Sequence, residues 1–204
     1  MLDLWYSESH ADDVKFSTRV TQHLYSEKTP FQQIDFFKSE TFGTFFTLDG
    51  YIMLTEKDEF IYHEMITHVP MAVNPNIKKV LIIGGGDGGT SREILRYKTI
   101  EKVDLVDIDE RVIRLCQKYL PQTACEFDND SRLTTHFEDG KEFVKKTTSG
   151  TYDLILVDST DHIGPGEGLF TNEFYSDCKR ILSDDGILIN QHESPYYKNY
   201  CREM

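Results

Sequence analysis

The chain has 204 residues, with 22 Lys plus Arg against 35 Asp plus Glu, a formal net charge of -13 and 39% hydrophobic residues. That length buries a real core and fits one domain with a small appendage. The charge argues against nucleic acid or an anionic membrane surface as partner and suits a cationic one, although acidic soluble proteins are common and charge alone decides little.

From Leu2 to about Leu54 the pattern is short strands rich in Phe, Tyr, Thr and Val, broken at Glu40-Thr41-Phe42-Gly43 and at Leu48-Asp49-Gly50-Tyr51. The Asp-Gly pair is a hairpin-turn signal, so residues 1–56 are expected to form a small antiparallel β domain. Asp58 to Val73 is helical in period, with Asp58 and Glu59 favourable in its first turn and Pro70 tolerable near its end. Asn74-Pro75-Asn76 then marks the entry to a second unit, and residues 57–204 form the second domain.

In that unit, strands are expected near Val80 to Ile83, Val103 to Val106, Leu133 to Phe137, Leu154 to Val157 and Ile187 to Asn190. They alternate with helices near Ser91 to Tyr97, Glu110 to Leu120, Lys141 to Lys146 and Asn172 to Leu182. Such alternation predicts an α/β, doubly wound, Rossmann-like parallel sheet with right-handed crossovers. Cys116 falls on the apolar side of its helix with Val112, Ile113 and Tyr119 and reads as core. Cys116, Cys125, Cys178 and Cys201 show no CxxC spacing, and no signal peptide or long apolar run is seen, so reduced thiols and a cytoplasmic setting are expected. The histidines form no HExxH or Cys/His cluster, and no metal site is indicated.

The chemistry starts where Leu81-Ile82-Ile83 runs into Gly84-Gly85-Gly86-Asp87-Gly88-Gly89, followed by Val103-Asp104-Leu105-Val106 and the acidic Asp107, Asp109 and Glu110. A strand, a glycine turn, a helix and a second strand ending in a carboxylate is how a doubly wound sheet holds a nucleoside, the carboxylate accepting from ribose hydroxyls. A glycine turn alone is a weak signal and is often only a tight turn. Asp87 sharpens it, because an anion in the turn repels the pyrophosphate that would otherwise sit at the helix N-terminus. A cationic, sulfonium nucleoside fits better than NAD. Further on, Tyr152 to Val157 runs out at Asp158-Ser159-Thr160-Asp161, with Gly164-Pro165 after it. Asp107, Asp139 and Asp158 should therefore open on one rim of the sheet, where such folds bind ligands.

GGGDGG, the segment Asp58-Glu59-Phe60-Ile61-Tyr62-His63-Glu64-Met65, Asp139-Gly140 and Asp158-Ser-Thr-Asp161 with Gly164-Pro165 resemble the spermidine synthases, aminopropyltransferases related in fold to methyltransferases. The resemblance runs in order over nearly the whole chain. It implies transfer of the aminopropyl group of decarboxylated S-adenosylmethionine to putrescine, giving spermidine and methylthioadenosine, with no cofactor beyond that co-substrate and with a homodimer or homotetramer as the assembly. It further implies that Asp158 accepts the amine's proton with help from Tyr62. Gln32, Asp107, Asp139, Gly140 and Pro165 hold the nucleoside, together with the turn glycines Gly84 and Gly86. His63, Asp87 and Asp161 contact the amine or the aminopropyl chain, and Gln191 at the fifth strand's end is a weaker candidate.

Two positions depart from the family: Asp107 is one methylene shorter than its usual glutamate, and Gln33 stands where aspartate commonly follows the glutamine. Met204 falls short of the family's usual length, so a further C-terminal segment with a tyrosine near the amine is expected. Cadaverine or agmatine are alternative acceptors. An S-adenosylmethionine-dependent methyltransferase is the main rival, and a non-catalytic polyamine-binding protein is a third class. The rival's nucleoside carries a carboxylate that Asp87 and Asp158 would repel, at a cost of about 4 kcal/mol for 4 Å and an effective dielectric of 20.

Overall fold

The computed structural model describes residues 3–11, 13–160 and 164–192. Strands β1 (Leu4–Ala11) and β2 (Val14–Val20) pair as an antiparallel two-stranded sheet. Strands β3 (Gln22–Lys28), β4 (Gln33–Ser39), β5 (Gly43–Leu48) and β6 (Tyr51–Thr55) form a four-stranded antiparallel sheet in chain order. The β5–β6 hairpin turns at the expected Asp-Gly pair, with Leu48 facing Tyr51 and φ of 50° at Asp49 and 87° at Gly50. Two consecutive positive φ values suit the right-handed twist of the flanking strands.

Helix α1 (Glu59–Val73) leads into β7 (Lys79–Gly84), α2 (Gly89–Leu95), β8 (Lys102–Asp107), α3 (Glu110–Tyr119), β9 (Leu133–Phe137), α4 (Gly140–Lys146), β10 (Tyr152–Asp158), a 3-10 segment at Gly164–Phe170, α5 (Asn172–Ile181) and β11 (Leu182–Asn190). The five strands form one parallel sheet in the order β11-β10-β7-β8-β9. The chain starts in the middle and reverses direction after β9, which puts the carboxyl ends of β7, β8 and β10 at the switch point. Of the boundaries that differ from expectation, two have a visible cause. Helix α2 begins at Gly89, before Ser91, because Gly88 in the left-handed region starts it and Asp87 accepts from Gly89 N at 2.7 Å. Strand β11 begins at Leu182, immediately after α5, because Tyr152 pairs with Leu182 across the sheet.

Period-two alternation sorts the sheet's side chains. Val80, Ile82, Val103, Leu105, Leu154 and Leu156 face Ile66, Met71, Ile94 and Leu95 of α1 and α2. Leu81, Ile83, Val106, Ile155 and Val157 face Phe143, Val144, Phe174, Cys178 and Ile181 of α4 and α5. A third core joins the two parts of the chain: Ile34, Phe36, Phe46, Leu48 and Leu54 pack against Val112, Leu115, Cys116 and Leu120. Helix α3 thus has two apolar faces, since its Ile113 belongs to the first core. Its charged residues Glu110, Arg111, Arg114 and Lys118 are exposed, and Asp109 caps it by accepting from Arg111 N at 3.0 Å, a cap that contributes about 1 kcal/mol.

Asp104 interrupts the apolar strand β8 at 2% exposure, a buried charge that needs partners. It has three: Lys102 Nζ at 2.7 Å, His136 Nε2 at 2.8 Å and the Tyr152 hydroxyl at 2.9 Å. Among the described residues no helix is long and apolar enough to cross a membrane.

Phe36 is fully buried between the small sheet and α3, stacked on Phe46 at 5.2 Å between centroids. Phe36→Ala is expected to cost about 3 to 5 kcal/mol. Urea denaturation measures it, and a loss under about 1 kcal/mol would show that this seam is not a true core.

Candidate functional site

One cleft of about 970 Å³ opens at the carboxyl rim of the parallel sheet, roofed by the N-terminal strands. It brings together Gln32, Tyr62, His63, Gly84, Gly86, Asp87, Asp107, Asp139, Gly140, Asp158 and Gln191, residues drawn from both parts of the chain. Asp161 lies outside the described residues, and Pro165 falls in the 3-10 segment.

On one side, Asp107 ends β8 and accepts from Asp109 N at 2.9 Å. Asp109 accepts through its other oxygen from Thr29 Oγ1 at 2.7 Å and Gln32 Nε2 at 3.1 Å. A carboxylate only accepts, so Asp109 turns the NH2 end of the Gln32 amide toward itself. Gly86 permits the close turn here, since a Cβ would stand 2.5 Å from Asp107 Oδ2. Asp139 N-caps α4, accepting from Lys141 N at 2.7 Å and Glu142 N at 3.3 Å. These groups present acceptors to hydroxyl or amino donors.

On the other side, Asp158 ends β10. Its Oδ1 accepts from the Tyr62 hydroxyl at 2.6 Å and its Oδ2 from Thr90 Oγ1 at 2.6 Å. Asp87, Asp158 and His63 each bring one charged-group atom within 4.8 Å of the others. His63 is 2% exposed, with Nδ1 at 2.5 Å from Glu59 Oε2 and Nε2 at 3.2 Å from Asp87 Oδ1. Arg92 Nη1 and Nη2 hold both oxygens of Glu59 at 2.9 and 3.0 Å. Gly89 makes room for the histidine, because a Cβ there would lie 2.2 Å from the imidazole.

Environment shifts four titratable groups. Burial, then the neighbouring Asp109 and Asp87, push Asp107 up to about 7, against the pull of the Asp109 and Gly86 amides. Burial, then Asp87, also raise Asp158, although His63 and the two hydroxyl donors oppose them. Burial works against a charged His63, but Asp87, Glu59 and Asp158 outweigh it and lift the imidazole to about 10. Burial raises Asp87 in turn, and the imidazolium more than reverses that, leaving it below the ordinary carboxylate range.

Glu64, His68 and Glu93 form a second cluster with ligand spacing on α1 and α2. Arg92 and Arg96 already occupy both Glu93 oxygens, at 2.9 and 2.6 Å, so the protein supplies the cation itself. The same is true of His63 in the cleft.

Thr90, Arg92 and Thr29 are site residues that sequence reasoning missed, and Glu59 was read only as a helix-start charge. Thr90 follows the glycine turn directly, at the second residue of α2, which is a legible signal. The carboxylate of Glu8, 7% exposed and accepting from Ile52 N at 2.8 Å, also lines the cleft from β1 and has no such signal.

The spermine/spermidine synthase domain model matches residues 59–203, and the spermidine synthase tetramerisation domain model matches residues 4–56. The chain therefore belongs to the spermine/spermidine synthase family. A polyamine aminopropyltransferase of Clostridium acetobutylicum is 87% identical over all 204 residues, which span 71% of that relative, and one of Alkaliphilus oremlandii is 59% identical over the same share. A crystal structure of spermidine synthase in complex with the transition state analogue AdoDATO superposes with a TM-score of 0.92 at 46% identity, covering 95% of this chain and 66% of that one. Spermidine synthase from Thermotoga maritima gives 0.89 at 45% identity, covering 95% and 65%. The chain thus spans just under two thirds of these solved chains.

Asp107 supplies a pH test. A carboxyl group whose folded pKa is raised contributes stability below its unfolded value, and that share is lost as pH rises through about 7. Asp107→Asn mimics the protonated form. Its melting temperature should exceed the parent's above about pH 7 and converge with it only toward about pH 4, the unfolded carboxyl's value. A parallel pair of curves would show that Asp107 is ionised throughout.

Proposed function

We propose that the protein transfers the aminopropyl group of decarboxylated S-adenosylmethionine to putrescine, yielding spermidine and methylthioadenosine. The observation that carries this reading is Asp158, held at a strand end by Tyr62 and Thr90 beside the Asp87–His63 pair, in one cleft with Asp107 and the Gln32–Asp109 pair.

Gln32, Asp107, Asp139 and Gly140 take the nucleoside, Asp107 accepting from the ribose. The sulfonium is already an activated electrophile, so the site mainly orients it and no resident cofactor is required. A new bond forms from the amine nitrogen to the aminopropyl carbon. The carbon–sulfur bond breaks, its pair stays on sulfur as a neutral thioether, and the nitrogen's proton goes to Asp158.

The nucleophile is the harder problem. An alkylamine of pKa about 10.4 must be bared at pH 7, a cost of about 4.6 kcal/mol at 1.36 kcal/mol per unit. Carboxylates gather and align the dication, and one of them receives the proton as nitrogen attacks. We place the enzyme in the cytoplasm as a homo-oligomer. The free Cys116, Cys125 and Cys178 and the family's tetramerisation domain at residues 4–56 support that placement.

Asp158→Asn should keep the fold by circular dichroism and lower turnover at least about 10²-fold, read as methylthioadenosine release with putrescine, cadaverine and agmatine compared. Near-normal turnover would remove Asp158 from the mechanism, and a preference for another amine would change the acceptor. Calorimetry supplies a second check, because Asp87→Asn should narrow the affinity gap between decarboxylated and ordinary S-adenosylmethionine. An unchanged ratio would place that discrimination elsewhere.

A further inference from the structure

His63 has a carboxylate against each ring nitrogen, Glu59 on α1 at Nδ1 and Asp87 in the glycine turn at Nε2. Carboxylates only accept, so satisfying both requires a hydrogen on both nitrogens. That form of the ring is the cation. Glu59 cannot swing away, because Arg92 from α2 holds both its oxygens and Glu59 lies at 9% side-chain exposure. Gly89 closes on the imidazole, and the Tyr62 ring stands edge-on to it at 5.3 Å.

Resting on the aminopropyl-transfer reading, we propose that Glu59, clamped by Arg92, is a positioning residue that keeps His63 a permanent imidazolium, and that this fixed charge eases loss of the proton from the attacking amine.

The charges that face the ring are Glu59 from α1, Asp87 from the turn and Asp158 from β10, with Arg92 from α2 beyond Glu59. An amine among Asp87 and Asp158 alone would meet two negative charges, which favour its ammonium form. The imidazolium cancels one of them while still leaving the pocket attractive to a dication. It also holds Asp87 ionised, as the lowering of that carboxyl group by His63 reflects. His63 keeps both its protons through the reaction and passes none to substrate. The proton leaving nitrogen goes to Asp158, as the nitrogen–carbon bond forms and the carbon–sulfur bond breaks. A shift of one unit in the amine's pKa changes its free-base fraction about tenfold, so one well-placed charge matters.

The ring's charge is read directly by NMR on the ligand-free protein, with histidine labelled at the ε1 carbon and the His63 signal identified by its loss in His63→Gln. In the parent protein that signal should show no midpoint between about pH 6 and 9, where an ordinary histidine titrates near 6.5. Glu59→Gln should bring a midpoint into this range, and Glu59→Asp should restore the flat curve. In turnover, Glu59→Gln should acquire an alkaline fall in kcat of about tenfold with that same midpoint, a limb the parent lacks. A parent midpoint near 6.5 would overturn the proposal, and it requires no variant to fold. So would a uniform loss of activity in Glu59→Gln with no shift in titration, which is the signature of a merely structural contact. A flat parent curve in a protein that releases no methylthioadenosine would leave the imidazolium standing and refute the aminopropyl-transfer reading instead.

Discussion

A carboxylate withdrawn from water stays useful only if something holds its charge, and the cleft is organised around that need. Asp158 receives two hydroxyl donors, Asp87 receives an imidazolium and a backbone amide, and Asp109 receives an amide, a hydroxyl and a helix N-terminus. Each side-chain donor comes from a different element than its acceptor, and the backbone amides are local. The fold is therefore a device for delivering donors to three strand ends. Asp107 is the partial exception. Two backbone amides are its donors, and burial raises its carboxyl group to about 7.

The parallel sheet was legible because its central strands are buried on both faces and read as apolar runs, two of which, β8 and β10, end in an aspartate. Leu81-Ile82-Ile83 and Leu154 to Val157 announce both their buried character and their functional ends. The Asp49-Gly50 hairpin was equally clear, since positive φ at two positions restricts the residues that fit. The separation of β1 and β2 from the four-stranded sheet was not legible. Both groups are short antiparallel strands paired with their chain neighbours, and no local signal marks the break between β2 and β3.

Within the site, residues on motifs were found and residues that hold them were not. Asp158, Asp87 and His63 sit in segments whose composition is unusual, whereas Thr90 and Arg92 are ordinary helix residues until α1 is laid beside α2. The Arg92–Glu59 contact spans 33 positions and the Thr90–Asp158 contact 68, so no local pattern carries either. Glu8 likewise meets Ile52 N across 44 positions, from a strand that reads as surface.

The seam at α3 has a thermodynamic consequence. Helix α3 buries Ile113 in one core and Val112, Leu115 and Cys116 in another, while the cap of that helix, Asp109, grips Gln32 from the small sheet. Pulling the small sheet away would expose Phe36 and break the Gln32–Asp109 bond in one event. A nucleoside that touches both Gln32 and Asp107 would bind across this joint, and its binding free energy would be added to the cohesion of the two units. Substrate would then act as mortar between them. The resting protein would be loosest at its hinge when empty and most unified while it holds the molecule it works on.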